Sequence, residues 1–214
     1  KATSNICTAQ ALLAIMSALY AMYHGPEGLR AIGRRVHDLT NRLASSVSKV
    51  GVDCVNDSWF DTLTLRVGDQ QQVLLNKARQ AGYNPRVVGE DQLGISLDET
   101  STDADLAALI AIFDASLNEG NSGIPAKLTR PVDYLQHPLF HDYRAETEML
   151  RYLKRLENKD ISLTRAMIPL GSCTMKLNAT SEMLPVSWPE FGRIHPFAPT
   201  DQVQGYHAML EELS

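Results

Sequence analysis

The chain has 214 residues, with 20 Lys or Arg against 25 Asp or Glu, so its formal net charge is −5. Hydrophobic residues make up 44% and charged residues 21% of the sequence, which is typical of globular proteins and argues against wholesale disorder. At about 100–200 residues per domain, the length allows one full domain and a further piece, or two small domains. The mildly acidic balance gives no reason to expect nucleic acid or an anionic membrane as a partner.

The cysteines and the start of the chain bear on compartment and completeness. Cys7, Cys54 and Cys173 are widely spaced, odd in number and form no Cys-x-x-Cys pair, so we expect free thiols and no structural zinc. An apolar run over 11–21 is too short to span a bilayer, and no signal-peptide cleavage site follows it. Because the chain starts at Lys1 instead of Met, we expect a piece of a longer polypeptide or a trimmed chain, and removal of the initiator Met alone is the alternative.

Two helices are predicted at the start of the chain. Residues 8–23 carry apolar side chains nearly all round, so we expect this helix to be buried on most sides. Gly25-Pro26 ends it, and Pro26 suits the first turn of the next helix. The second helix has apolar residues three or four positions apart until Gly51 stops it. This stripe predicts core packing and not a coiled coil, because the pattern does not continue.

The hydrophobic period then changes to two. Leu63, Leu65 and Val67 alternate with polar residues, which predicts a half-buried strand. Asp69 is placed to cap the next helix, which Gly82 closes.

Short extended runs follow over 85–88 and 93–97. Thr102 and Asp105 have the spacing of a capping box and are expected to open another helix. Two helices followed by strands with two more helices between them predict an open-faced α+β sandwich of about 120 residues.

The second half of the chain is organised differently. The turn-rich segment over 119–125 is the best candidate for a domain boundary. One amphipathic helix follows, with Met149, Leu150 and Leu153 on its apolar side and its charges ordered as the helix dipole favours. Beyond Asp160, prolines and glycines are irregularly spaced and no core-forming period is present. Such a stretch needs a surface to lie against, so we expect the leading arm of a larger domain.

His137 and His141 are four residues apart, a spacing that places two imidazoles on one face of a helix as metal ligands. Pro138 lies between them, however, and no acidic or sulfur third ligand is nearby. We therefore favour two loop or cap histidines over a metal site.

A small polar loop over 171–176 ends in Lys176. Its backbone N–H groups and hydroxyls can cradle an anion, with the lysine adding charge, and from the residues alone an ordinary polar turn is equally favoured. Lys176 is alternatively the Schiff-base lysine of a pyridoxal phosphate enzyme. The Ser-x-x-Lys pattern of acyl-transfer enzymes is not met, since Lys176 lies four positions after Ser172. Cys173 is either a reactive thiol or, as is commoner for a lone cysteine, a packed one.

The run Met167–Asn178, with the sequence MIPLGSCTMKLN, resembles the signature of the glycine cleavage system P-protein family, which are pyridoxal phosphate-dependent glycine decarboxylases. Residues 146–153, Ile194–Phe197 and Gly205-Tyr206 are similar to the same region of that family, and residues 1–8 are similar to its other half. The resemblance covers essentially the whole chain. It implies a piece from the middle of a long polypeptide that is made of two homologous halves.

The resemblance implies an α/β fold of the aspartate-aminotransferase-like type, the pyridoxal phosphate fold type I, whose two halves pair as a pseudo-dimer. Residues 1–125 would be the small C-terminal domain of the first half. Residues 126–214 would be the connector and an extended, partly helical N-terminal arm of the second half.

The activity that the resemblance implies is decarboxylation of glycine on pyridoxal 5'-phosphate, with the aminomethyl group passing to the lipoyl arm of H-protein. The implied partners are glycine, lipoylated H-protein, the other half of the polypeptide and a second copy in a homodimer, with no nucleic acid and no membrane. The implied compartment is the cytoplasm of a bacterium or the mitochondrial matrix of a eukaryote.

The family's Schiff-base lysine lies well downstream of the signature, so we expect it beyond Ser214 and assign no catalytic residue and no metal ligand in this chain. His195 is expected either to face the substrate channel or to hold a turn beside Pro196. The residues expected to line the active-site mouth, and to hold cofactor, glycine carboxylate or lipoyl arm, are Ser172, Cys173, Thr174, Lys176 and Asn178. The 214 residues alone are expected to be inactive, and the alternative function is a non-catalytic structural or interface module.

Overall fold

A computed structural model of the chain describes residues 8–120, 124–159 and 180–214. The contacts divide the chain into two units, Lys1–Leu156 and Glu157–Ser214. None of the helices within the described residues combines the length and the hydropathy that a membrane span requires.

The elements follow the chain in this order. The helices are α1 (Thr8–Ser48), α2 (Gln71–Gln80), α3 (Asp103–Ile112), α4 (Leu139–Asp142), α5 (Glu146–Glu157), α6 (Thr180–Met183), α7 (Pro189–Gly192) and α8 (Gln204–Leu213). The strands are β1 (Asp53–Cys54), β2 (Thr62–Arg66), β3 (Arg86–Val88) and β4 (Gln92–Ser96). Short 3₁₀ turns connect several of them.

The four strands form one antiparallel sheet in the order β1-β2-β4-β3. In its centre, Leu63 lies opposite Ile95 and Leu65 lies opposite Leu93. Side chains alternate between the two faces of a sheet, so these four residues share one face, and all four are buried. The predicted strand and its period of two are therefore confirmed.

The second half of α1, together with α2 and α3, covers that apolar face. The core residues that the helices supply are Leu39, Leu43, Ala44, Val47, Leu74, Leu75, Ala78, Leu106, Leu109, Ile110, Ile112 and Phe113. Full burial of one such large apolar side chain contributes about 1.5–3 kcal/mol before the entropy cost of ordering it. The predicted open-faced α+β sandwich and the apolar stripe of the second helix are confirmed.

Helix α1 is broken at Gly25, as predicted. Gly25 has φ +59° and ψ −175°, a combination that is essentially restricted to glycine, and Pro26 follows it. The helix therefore consists of two segments that meet at this dipeptide.

The prediction that the first segment is buried on most sides is wrong for this chain. Leu12, Leu13, Ile15 and Met16 are 62%, 64%, 56% and 57% exposed, and Met22 next to the break is buried. The physical reason is that the sheet and its helices pack on the second segment, and no described element covers Leu12, Leu13, Ile15 or Met16.

The predicted cap by Asp69 is also wrong. Asp69 lies inside a 3₁₀ turn, Gly68–Gln70, and the helix that follows begins at Gln71 without a side-chain cap. The turn is instead held by the carbonyl oxygen of Asp91, which accepts hydrogen bonds from the backbone N–H groups of Val67 at 2.8 Å and Gly68 at 3.0 Å. The helix ends as predicted, at Gly82 with φ +88°.

The predicted capping box at the start of α3 is confirmed. The Thr102 hydroxyl accepts from the backbone N–H of Asp105, and the Asp105 carboxylate accepts from the backbone N–H of Thr102 at 2.8 Å. Tyr83 also donates its hydroxyl to this carboxylate at 2.8 Å. The hydrogen bond from the Thr102 side chain, followed by that from Tyr83, holds the pKa of Asp105 below its ordinary value of 3.8.

The segment after residue 124 binds to α1 at its break. Arg144 donates to the carbonyl oxygens of Met22 at 3.1 Å and Tyr23 at 3.3 Å, and Tyr134 donates its hydroxyl to the carbonyl of Pro26 at 2.8 Å. Carbonyls at the C-terminal end of a helical segment lack intrahelical partners, so Arg144 satisfies those of Met22 and Tyr23. The bond from Tyr134 to the Pro26 carbonyl adds a tie to the start of the second segment. We call Arg144 and Tyr134 the latch. The predicted domain boundary at 125/126 stays a prediction.

Helix α5 has the predicted amphipathic pattern, with acidic residues in its first turn and basic residues in its last. Its apolar side is exposed, however, including Leu150, Leu153 and Leu156. In the second unit none of residues 181–214 is buried, and the order there comes from local contacts such as the hydrogen bond from the Tyr206 hydroxyl to the Phe191 carbonyl at 2.9 Å. A stretch without a core of its own was expected here, and for these described residues that expectation is confirmed.

Replacing Thr102 with alanine is expected to lower the free energy of unfolding by about 1 kcal/mol at neutral pH, because an N-cap is lost. The folded pKa of Asp105 is depressed, so the stability from this carboxylate is present above pH 3.8 and is lost as the pH falls through the folded pKa. The difference between the native chain and Thr102→Ala should therefore shrink in acid. Urea unfolding followed by circular dichroism measures it, with the exposed Ser58→Ala as the control. An acid-independent difference would contradict the role of the carboxylate.

Replacing Gly25 with alanine is expected to cost about 1–3 kcal/mol of unfolding free energy from backbone strain. A contact penalty adds to it, because an added Cβ would collide with the guanidinium group of Arg144. The cost should fall when Arg144→Ala is combined with Gly25→Ala. Gly51→Ala is the matched control, since Gly51 also has a positive φ but its added Cβ meets nothing within 4 Å. Equal costs of Gly25→Ala in both backgrounds would show that the latch does not press on this position.

Candidate functional site

The signature loop falls on residues that the structure leaves undescribed. The site residues predicted there are Ser172, Cys173, Thr174, Lys176 and Asn178, and all five lie outside the described residues, which stop at 159 and resume at 180. Their roles therefore stay predictions.

His195 is the predicted site residue whose surroundings the structure does describe. It is exposed, and its Nδ1 atom accepts a hydrogen bond from the backbone N–H of Phe197 at 3.0 Å. A neutral imidazole that accepts at Nδ1 carries its proton on Nε2, so Nε2 is the donor that this ring presents. The ring also lies 5.7 Å from that of Phe197, a side chain that is 90% exposed.

His137 repeats this arrangement in the other unit. Each histidine stands before a proline and an apolar residue, and His137 Nδ1 accepts from the backbone N–H of Leu139 at 3.2 Å. The shared geometry shows that a His-Pro-apolar turn is closed by its own imidazole. For His195 this supports the turn-holding interpretation, and a position facing the substrate channel stays a prediction.

His141, the other half of the metal-ligand spacing, is held by a local contact. Its Nε2 atom lies 3.0 Å from the carbonyl oxygen of Leu135. Over the described ranges of the chain, no three His, Cys, Asp or Glu side chains are grouped so that they could hold a metal ion. Each of the two histidines thus contacts a nearby backbone group, and the choice between these local roles and a metal site stays a prediction.

Two hollows lie beside α3, and their walls are mainly alkyl. One is a cavity of about 230 Å³ between α3 and the residues that follow it, with the ion pair of Arg42 and Asp103 (2.9 Å) at its edge. The other, about 470 Å³, is lined by α2 and α3, with Lys77 and Asp114 paired at 2.7 Å. Because both cations are paired with carboxylates, neither hollow presents an unshared positive charge for an anionic cofactor.

The latch is the feature that the sequence did not reveal. Arg144 also donates to the carbonyl of Phe140, so one planar guanidinium joins α4 to the end of the first segment of α1. Tyr134 lies between two guanidinium groups, with its ring centre 5.8 Å from Arg30 and 5.2 Å from Arg130. The only sequence signal was the Gly25-Pro26 break, whose carbonyls require donors from elsewhere.

Comparison with known proteins identifies the family. The family model for the glycine cleavage system P-protein matches residues 1–113, more than half of the chain. Proteins named glycine dehydrogenase (decarboxylating) from Jannaschia sp. and Vibrio parahaemolyticus are 56% and 55% identical to the chain over all of its length. A protein named glycine dehydrogenase (decarboxylating) 2 from Colwellia psychrerythraea is 54% identical.

These matches cover 100% of this chain but 23% of each of the three relatives. The matched region therefore includes the sandwich, the latch and the signature loop and reaches the last residue of the chain. The family predicted from Met167–Asn178 is thereby confirmed by the whole sequence. The chain belongs to the glycine cleavage system P-protein family.

Proposed function

We propose that the chain forms part of a pyridoxal phosphate-dependent glycine decarboxylase of the glycine cleavage system. The observation that carries this proposal is the identity of 56% over the full chain to a protein named glycine dehydrogenase (decarboxylating). The signature over Met167–Asn178 supports it from the sequence side. Glycine is the proposed substrate, and the lipoyl arm of H-protein is the proposed acceptor of the aminomethyl group.

The proposed fold of the complete enzyme is pyridoxal phosphate fold type I. Residues 1–125 are assigned to its small domain and residues 126–214 to the connector and arm of the second half. The open-faced antiparallel sandwich supports the first assignment. The second is supported by the fact that none of residues 181–214 is buried, because an arm of this kind takes its order from a surface that it lies on.

The donor set of the signature loop fits an anion. Ser172 and Thr174 offer hydroxyls, Lys176 an ammonium and Asn178 an amide, which together suit a phosphate or carboxylate. We assign these residues, with Cys173 among them, to the mouth of the active site, where they bind and orient cofactor phosphate, glycine carboxylate or the lipoyl arm. Pyridoxal phosphate, when bound, supplies the electron sink for decarboxylation. This chain's residues supply charge and hydrogen bonds.

His195 is assigned a place beside that mouth, where its Nε2–H points a donor toward solvent or substrate while Nδ1 holds its turn. The turn geometry supports the role of Nδ1 in holding the turn, and the role of Nε2 toward substrate is part of the proposal alone. The alternative for the chain as a whole is a structural or interface module without catalysis. We infer that this alternative describes the 214 residues alone, because the Schiff-base lysine is assigned beyond Ser214. A homodimer and, since the relatives named above are bacterial, a cytoplasmic location complete the proposal.

The first test uses a full-length chimera in which these 214 residues replace the matching segment of the Jannaschia relative. Lys176→Ala and Ser172→Ala should each reduce kcat/KM for glycine about 10–100-fold, because losing a hydrogen bond to a charged group costs about 1.5–3 kcal/mol. Exchange of labelled bicarbonate into the glycine carboxylate measures the rate. Lys127→Ala, an exposed lysine outside the loop, is the control and should behave as the unaltered chimera. Unchanged kinetics in both loop variants would remove the loop from the site.

The second test concerns the 214-residue chain by itself. Mixed with pyridoxal phosphate, it should show no absorption band of lysine-bound cofactor and no glycine-dependent release of CO2, because the required lysine is assigned elsewhere. The full-length chimera is the positive control for both measurements. A lysine-bound band in the short chain that disappears in Lys176→Ala would show that Lys176 is the Schiff-base residue and that the assignment is wrong.

A further inference from the structure

The first segment of α1 presents a surface that is unusual for a water-facing helix. Between residues 8 and 26 the sequence contains no Asp, Glu, Lys or Arg. Leu12, Leu13, Ile15 and Met16 are all more than half exposed. Single exposed apolar residues are ordinary on protein surfaces, but a contiguous uncharged apolar face marks an interaction site. We call these four residues the apolar face.

The residues that border the apolar face have the composition of an interface rim. Tyr20 and Tyr23 are about two-fifths exposed, and the ring of His24 lies 4.3 Å from that of Tyr20 and 5.5 Å from that of Tyr23. Tyrosine and methionine are enriched at protein–protein interfaces, where an apolar body is covered and a polar tip stays at the edge. The segment therefore has an apolar centre and an aromatic, weakly polar border.

The apolar face is held in place before anything covers it. The second segment of α1 is embedded in the sandwich core through residues such as Leu43 and Val47, both fully buried. At the break, Arg144 and Tyr134 bind the carbonyls on either side, so the first segment is anchored at its C-terminal end. A helix that is already ordered and oriented loses little further entropy when a surface packs on it.

The comparisons indicate what covers this face. The segment lies inside the region that the family model matches, 1–113, so this stretch of the chain is part of the family's own domain. The chain spans 23% of its relatives, which leaves most of the family polypeptide outside these 214 residues. Two surfaces of one polypeptide meet at high effective concentration, so a weak apolar attraction is enough to keep them together.

We propose that the apolar face of α1 is a docking surface for the part of the P-protein polypeptide that lies outside these 214 residues. The complementary surface is apolar and carries no charge opposite Leu13 and Met16, because burying an unpaired charge against them would be unfavourable. The latch then has a second consequence, since it sets the direction in which α1 leaves the sandwich toward that surface. This inference rests on membership of the family and not on the assignment of the signature loop.

The test measures the accessibility of a thiol placed in the apolar face. Ile15→Cys is made in the 214-residue chain and in the full-length chimera, and the labelled fraction of the peptide carrying residue 15 is followed by mass spectrometry. The matched control is Val73→Cys on α2, because Val73 is 57% exposed against 56% for Ile15. Its helical neighbours Asn76 and Lys77 make that face polar.

In the 214-residue chain both cysteines should react at similar rates. In the chimera the rate at residue 15 should fall by about 10-fold or more, because the buried thiol reacts only through opening of the contact, while residue 73 keeps its rate. Equally fast labelling at residue 15 in the chimera would overturn the proposal. Protection of residue 15 in the short chain would overturn it as well, with a dimer by size-exclusion chromatography identifying a second copy as the occupant and a monomer identifying another segment of this chain.

The outcome is independent of the proposed activity. Labelling reports whether a surface covers α1, whereas the kinetics of the Lys176→Ala and Ser172→Ala chimeras report whether the loop contributes to catalysis. A protected residue 15 with unaffected kinetics in the loop variants would support the docking surface and remove the loop assignment.

Discussion

The apolar side of the four-stranded sheet has to be covered, and the rest of the described structure follows from how α1 covers it. That side carries Leu63, Leu65, Leu93 and Ile95. Only the second segment of α1 reaches it, beside α2 and α3. Antiparallel sheets are stable with one packed and one solvated face, so the sandwich needs no second helical layer. The consequence is a helix with a buried half and an uncovered half.

The break at Gly25 separates these two halves, and its chemistry explains why distant residues gather there. A positive φ and a following proline interrupt the helical hydrogen bonds, which leaves carbonyl groups at the junction without intrahelical donors. Arg144 supplies donors to those carbonyls, and Tyr134 donates to the carbonyl of Pro26, both from a segment more than 100 positions away in sequence. The segment that carries Tyr134 and Arg144 is thus tied to α1 by polar contacts.

In the proposed function, each part of this chain has a different role within a larger enzyme. In that proposal the sandwich is a support, the latch orients the segment after residue 124, and the signature loop, whose residues the structure leaves undescribed, is assigned anion-binding groups at a centre encoded elsewhere. The apolar side of α5 and the exposed residues of the second unit have the same character as the apolar face of α1. In each case large apolar side chains are exposed, such as Leu150 on α5 and Trp188 and Phe197 in the second unit, which is expected for a chain that spans 23% of its relatives.

The sequence by itself determined what depends on neighbours along the chain: the stripe of the second segment of α1, the Gly25-Pro26 break, the Thr102–Asp105 capping box and the family signature. Each is a pattern of residues that lie close together in sequence, so it can be recognised without knowledge of the fold. Only the tertiary structure decided that Asp69 lies in a turn held by Asp91 instead of capping α2, and that the apolar first segment of α1 is exposed. It also decided where Arg144 binds, since pairing across 122 positions leaves no local pattern. A side chain's burial depends on which other surfaces are present, and that is a property of the assembled fold.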